Sequence, residues 1–355
     1  MLFERFLRKK TLIAALALTA AVPSVAKASM LSAAPTADGE NQKLKPGVYY
    51  IVNDKRQKGT DLHVFVNDEG TLHGQHYGSP STDFSDLFLL RAKDGRYTIQ
   101  SLKNAKYVQS VGQNNEVYKT ANDAYKFRII YQTESSGTGK SYFNIYNSNA
   151  EEWCWHIDAQ KDIVRWKPLM DNGIRAVGPS EFRFDPVTTL TNEQVLARLA
   201  QLTKVVDPTK DLTKYYQIVS DTYGELSTSG FNSSDYSYYW KLEKLANGRY
   251  VFQNAVTGKY IVPQNGQTSR SYTTAEGKGT GFDLQRNMDD PYVLAFEMVD
   301  ANNVGIHCAE SQGYHPVGWY THNEANKWVF KEVTLNPAKL KEQQEAYKTR
   351  VDLTK

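Results

Sequence analysis

The phrase Gly95-Arg96-Tyr97-Thr98-Ile99-Gln100-Ser101 returns at Gly248-Arg249-Tyr250-Val251-Phe252-Gln253-Asn254. Each copy is followed by Lys106-Tyr107-Val108 or by Lys259-Tyr260-Ile261. A repeat that survives over this length makes the chain two versions of one architecture, and it has to be read before any single motif. Related strand openings stand at Gly47-Val48-Tyr49-Tyr50-Ile51, Tyr142-Phe143-Asn144-Ile145-Tyr146, Tyr215-Tyr216-Gln217-Ile218-Val219 and Tyr292-Val293-Leu294-Ala295-Phe296, which makes six units. Their first tyrosines are spaced 48 and 45 residues apart in the first half and 35 and 42 in the second. Each unit closes on a short apolar run, from Leu87-Phe88-Leu89 in the first to Trp328-Val329-Phe330 in the last. Three units per half, built of short strands between Gly, Asn and Asp turns, predict an all-β chain of two pseudo-threefold lobes.

The lobes are placed at 45–188 and 214–334, each within the ordinary range of a domain and large enough for its own core. Between them, in the 189–213 linker, Thr191-Asn192-Glu193-Gln194 has the form of a capping box. Leu190 can staple onto Val195, and Val195, Leu199 and Leu202 share one face, so a short helix packed on a lobe is expected near Thr191 to Thr203. In the 335–355 tail, Pro337 suits the first turn of a second helix. Residues 1–28 read as a secretion signal: a basic start, an apolar stretch from Leu12 to Val22, and Ala26-Lys27-Ala28 before Ser29. That stretch is too short to span a bilayer comfortably, so no membrane span is expected once the signal is removed. Residues 29–44 are expected to be a disordered leader.

Charge excludes one class of partner. The full chain carries 42 Lys+Arg against 39 Asp+Glu, but without residues 1–28 the counts fall to 37 and 38, so +3 becomes −1. The basicity belongs to the signal, and a nucleic-acid partner is not expected. Cys154 and Cys308 lie in different halves and are expected to be buried, unpaired thiols.

Catalytic motifs are missing. Gly137-Thr138-Gly139-Lys140-Ser141 resembles a phosphate loop, but Glu134 stands where the leading glycine belongs, so a polar hairpin tip is expected. His63, His73 and His76 match no metal-ligand spacing and are expected to be solvated loop residues. Acidic pairs such as Glu151-Glu152 and Asp289-Asp290 fall at turns rather than across a sugar-sized cleft. The chain is therefore expected to be no enzyme and to carry no cofactor or metal.

The six-unit pattern resembles the ricin-type β-trefoil lectin family, in particular the divergent trefoils of secreted and surface proteins of Bacteroidetes-like bacteria. The residues that carry the resemblance most strongly are Gly305-Ile306-His307-Cys308-Ala309, Gly318-Trp319 and Asn326-Lys327-Trp328-Val329-Phe330. It implies two tandem β-trefoil domains and a carbohydrate-binding role, with a sugar pocket made from an early Asp, a hairpin aromatic and a Gln two residues before the closing Trp. Asp158 and Trp166 fit the first two positions in the third unit, but Ser180 stands two residues before Phe182. In the sixth unit Trp319 and Asn326 fit, and Cys308 or Ala309 replaces the Asp. The glycan contacts expected from the resemblance are His156, Asp158 and Trp166 in the first lobe and His307, His315, Trp319 and Asn326 in the second. A trefoil used as a protein-interaction module, an inhibitor or spacer, is the alternative, as is the front targeting part of a larger secreted hydrolase. Trp240 and Trp328, on closing strands, are expected in the core, and Trp166 and Trp319 at the surface.

Overall fold

The repeated phrase is a strand with a built-in turn at each end. Gly95 and Gly248 hold φ of +72° and +87°, a backbone region that the missing Cβ of glycine makes accessible. The strands Arg96–Ser101 and Tyr250–Asn254 follow them. The repeated glutamines have one role: Gln100 Nε2 donates to the Ala105 carbonyl (2.8 Å) and Gln253 Nε2 to that of Gly258 (3.0 Å). The accepting residues both sit at positive φ, 57° at Ala105 and 70° at Gly258. The phrase recurs because these turns and side-chain clasps recur.

The computed structural model describes residues 44–54, 60–76, 81–93, 95–132, 142–147, 153–167, 170–171, 175–176, 178–220, 224–225, 238–263, 268–309 and 315–352. Residues 1–28, the leader up to Lys43, and the glycine-rich 137–141 segment lie outside these.

In the first lobe, Gly47–Asn53 pairs with Phe88–Lys93, which pairs with Arg96–Ser101. Tyr97 bridges Phe127, at the head of Arg128–Gln132, and that strand pairs with Tyr142–Tyr146. Phe143 then bridges Phe182, and Arg183–Pro186 returns to Gly47–Asn53 with Phe184 opposite Ile51. Six antiparallel strands thus close into a ring. Three hairpins cap it: Leu62–Val66 with Leu72–His76, Tyr107–Val108 with Thr120–Ala121, and Cys154–Ile157 with Ile163–Trp166. The bridges Thr71 to Lys119, Val117 to Val164 and His73 to Asp162 tie the three together. A closed six-strand barrel under a three-hairpin cap is a β-trefoil.

The second lobe repeats the ring through Tyr215–Ser220, Tyr239–Lys244, Tyr250–Asn254, Asp283–Asn287, Ala295–Val299 and Trp328–Val333. Its hairpins Tyr260–Val262 with Thr273–Ala275 and Val304–Ala309 with His315–Tyr320 meet where Ser271 bridges Val317. Each barrel is filled by aromatic side chains. Tyr118, Phe127, Trp155 and Phe182 are fully buried in the first, and Trp240, Phe252, Phe282, Trp328 and Phe330 in the second. Burying each such ring contributes roughly 1.5–3 kcal/mol.

The linker forms the expected helix, Asn192–Thr203, with the Thr191 and Gln194 side chains each bonded to the other's backbone N–H. Val195 and Leu199 are buried against Val48, Leu87, Leu89, Leu102 and Ala105 of the first lobe, with Leu190, Leu202 and Tyr292 packed on the same cluster. Tyr292 is therefore an interface residue rather than a strand opener, and the ladder begins at Ala295. A second helix, Pro337–Asp352, docks on the second lobe where Gln344 Nε2 donates to the Ala255 carbonyl (2.8 Å). All of Gln42–Lys355 makes one compact unit.

The histidines near the first hairpin differ from the expectation. His63 and His73 lie on strands, His63 is buried, and His73 pairs with Asp162 across two hairpins. Hairpin capping, which local sequence does not reveal, draws them out of solvent.

Candidate functional site

The third hairpin of each lobe carries the same pair of rings in the same register. His156 faces Val164 and Trp166 faces Cys154 in the first lobe; His307 faces Val317 and Trp319 faces Gly305 in the second. Residues two apart on a strand share a face, so each tryptophan sits diagonally across the ladder from its histidine. The imidazole and indole stack with centroids 5.3 Å apart and planes at 25° for His156 and Trp166, and 5.5 Å and 29° for His307 and Trp319. At these separations the stacks are offset. Both tryptophans are half-buried, so the expected surface position is met only in part. Trp240 and Trp328 are fully buried, as expected.

Each histidine is held from behind by the residue two before the closing aromatic. His156 Nδ1 lies 3.0 Å from Ser180 Oγ, and His307 Nδ1 lies 2.8 Å from Asn326 Oδ1. The fully buried Asn326 also donates Nδ2 to the Tyr320 carbonyl at 2.9 Å. With the amide nitrogen committed to a carbonyl, Oδ1 faces His307 and accepts from Nδ1–H. The tautomer that pairs with Oδ1 in this way has its acceptor lone pair on Nε2.

The two anchors exchange volume with their neighbours. Gly305 faces Trp319 because a Cβ there would come within 2.7 Å of Asn326 Nδ2. In the first lobe the smaller Ser180 leaves room for Cys154 at the matching position. Burial pushes the Cys154 thiol up to about 12, although its bond to Ser180 works against that rise. Cys154 and Cys308 are both buried and neither forms a disulfide, as expected. The Ser180–His156 contact resembles a nucleophile and its base, but Ser180 is only 1% exposed, so its hydroxyl positions the imidazole.

The other expected contacts fare differently. Asp158 closes the hairpin turn: Oδ1 accepts the Asp162 N–H (2.8 Å) and its carbonyl accepts that of Lys161 (3.2 Å). Its register counterpart in the second lobe is Ala309, which resolves the Cys308 or Ala309 alternative. Cys308 itself points into the barrel core. His315 opens the second hairpin strand opposite Ala309, and its side chain is outside the described set.

Sequence reasoning missed Tyr320. It is 68% exposed, beside Trp319, with its ring centroid 5.8 Å from the indole and the planes at 68°. Its counterpart after Trp166 is the exposed Lys167. Aligning the third units on their His-Val register would have exposed this difference. Among the described residues no group of three or more His, Cys, Asp or Glu side chains could hold a metal ion, and no helix is long and apolar enough to cross a membrane.

No protein-family model and no curated protein matches the chain. Among solved structures, it is similar to a ricin B-like lectin of Macrolepiota procera in complex with lactose (13% identity, 41% of this chain and 100% of the lectin, TM-score 0.32). It is also similar to the Rhizoctonia solani agglutinin (17% identity, 41% and 99%, TM-score 0.31). A mosquitocidal holotoxin aligns over 82% of this chain and 35% of its own length, at 11% identity and TM-score 0.31. The chain thus spans about a third of the holotoxin. At these scores the alignments carry no weight, and the trefoil assignment stands on the closed strand rings.

Proposed function

We propose that this chain is a non-catalytic carbohydrate-binding protein, exported through its first 28 residues, that holds glycans on the third hairpin of each lobe. The observation that carries the reading is the His–Trp pair, built twice at one register and buttressed each time from the core. The apolar C–H face of a pyranose stacks on the indole, while hydroxyls need directional polar partners. The imidazole stacked on the indole supplies such a partner: with Nδ1 held by Asn326, Nε2 of His307 is the ring nitrogen left to accept a hydrogen bond from a sugar hydroxyl. His156 with Trp166 makes the corresponding site in the first lobe, and Asn326 and Ser180 act as positioning residues. One aromatic with few polar groups binds weakly, and two such sites on one chain raise avidity.

The test is binding to an array of defined oligosaccharides by the parent, Trp166→Ala, Trp319→Ala and the double variant. Each truncation is expected to weaken binding at its lobe by roughly 1–3 kcal/mol, on the scale of interface aromatics, with little change in unfolding. A loss of about 3–5 kcal/mol in stability instead, typical of truncating a core tryptophan, would show that the rings serve packing. Silence of the parent on every glycan, with capture of a protein partner, would favour the interaction-module alternative.

A further inference from the structure

Tyr320 holds its ring out from the end of the third hairpin of the second lobe. It and Met288 are the two large hydrophobic side chains that stand well exposed among the described residues, at 68% and 66%. Successive strand residues normally point to opposite faces, but the strand ends at Tyr320. Its ring stands 5.8 Å from that of Trp319, so both lie on one side of the sheet end. At 68° the two rings make the walls of an open corner. The corner is pinned, because the Tyr320 backbone pairs with Val304 and its carbonyl accepts from buried Asn326, the same amide that fixes His307. A pre-positioned exposed ring loses little freedom when a ligand covers it.

Resting on the carbohydrate reading above, we infer that Tyr320 is a second stacking platform, so that the second lobe recognises two or more consecutive sugar rings of an oligosaccharide. Trp319 and His307 take one pyranose and Tyr320 takes its neighbour along the chain. Among the described residues, the first lobe has Lys167 in place of an aromatic ring at this position. The two sites therefore differ in the ligand length they read although their His–Trp pairs match.

Calorimetric titration of the full chain tests this, with Trp166→Ala as background so that the second lobe alone reports. The probes are mono-, di- and tetrasaccharide series of β-1,4-glucose, β-1,4-N-acetylglucosamine, β-1,4-mannose and α-1,4-glucose. In the series that binds, affinity is expected to rise roughly five- to tenfold from monosaccharide to disaccharide, the worth of one added ring contact. Tyr320→Ala and Tyr320→Lys should abolish that rise while leaving monosaccharide affinity in place, and Tyr320→Phe should keep it. Equal affinity for all lengths, or a rise that survives Tyr320→Ala, overturns the inference and leaves the carbohydrate reading standing. Binding of none of the series by this background or by the parent chain, together with silence of the parent on the glycan array, overturns both. Thermal unfolding of each variant, expected within a degree or two of the background because the ring is exposed, separates lost contact from lost fold.

Discussion

Tyr118 and Tyr272 occupy the same place in the repeat, three residues before the paired alanines Ala121 and Ala275, yet they meet different partners. Tyr118 donates to the Oδ1 of Asn147, both being buried. In the second lobe the position of Asn147 holds Asp300, whose Oδ1 accepts the Asn302 and Val304 N–H groups at 2.8 and 3.0 Å. Its Oδ2 and the Tyr272 hydroxyl are both buried without a hydrogen bond, and burial with the nearby Asp300 holds the Tyr272 hydroxyl well above its ordinary range. A buried carboxylate oxygen without a donor is costly, and an amide in its place removes the charge while its Oδ1 keeps both turn bonds. Asp300→Asn is therefore expected to stabilise the protein by about 1 kcal/mol, read as a higher urea midpoint at unchanged slope. A lower midpoint would mean that Asp300 is compensated in a way this pairing does not reveal. At this scale the sequence was a partial guide. Asn326 stood out by its distance from Trp328, but its grip on both His307 and Tyr320 depends on a loop closing over the strand, and no spacing shows that.

Among the elements, the linker helix was the most legible, because its start is coded within four residues and its apolar face within eight. What it binds was not legible. Arg198 reaches across to donate Nε to the Leu102 carbonyl (2.9 Å) and Nη2 to that of Lys103 (3.0 Å), with its guanidinium 4.8 Å from the Phe84 ring. Those carbonyls belong to the loop after the repeated strand, and their approach depends on the barrel's closure. Arg198→Ala is expected to cost about 1.5–3 kcal/mol of stability, since two charge-assisted bonds are lost and two carbonyls return to water. Chemical denaturation would measure it, and a cost near zero would make the helix a tether rather than a buttress. The hairpins divide the same way. Their existence follows from alternation and turn residues, whereas the approach of His73 to Asp162 needs two hairpins to meet.

For the whole molecule, the question is how far the two barrels depend on one another. The helix lays Val195 and Leu199 on the first lobe, and Tyr292 of the second packs on the same cluster. Arg91 Nε meets Asp290 Oδ2 at 2.6 Å between the lobes, both side chains being less than a quarter exposed. A fragment of residues 45–188 would leave Val48, Leu87 and Leu89 uncovered, and one of 45–204 would not. We predict that 45–204 and 205–352 each fold to soluble β-rich domains and that 45–188 aggregates or unfolds at lower denaturant, as an exposed apolar patch would cause. Circular dichroism and size exclusion would show it. Equal behaviour of 45–188 and 45–204 would mean that the helix contributes nothing to the first core.

By itself the sequence determined the all-β class, the count of six units, the turns that bound each strand, the capped helix and the burial of the closing tryptophans, because all of these follow from periodicity, backbone conformation and side-chain size over a few residues. Tertiary structure alone decided which side chains meet. Ring closure brings Arg183–Pro186 onto Gly47–Asn53 across more than a hundred residues, hairpin register sets His307 on Trp319, and the loop before Trp328 carries Asn326 beneath both His307 and Tyr320. Contacts of that kind depend on distances in space between segments far apart in the chain, and local sequence holds no record of them.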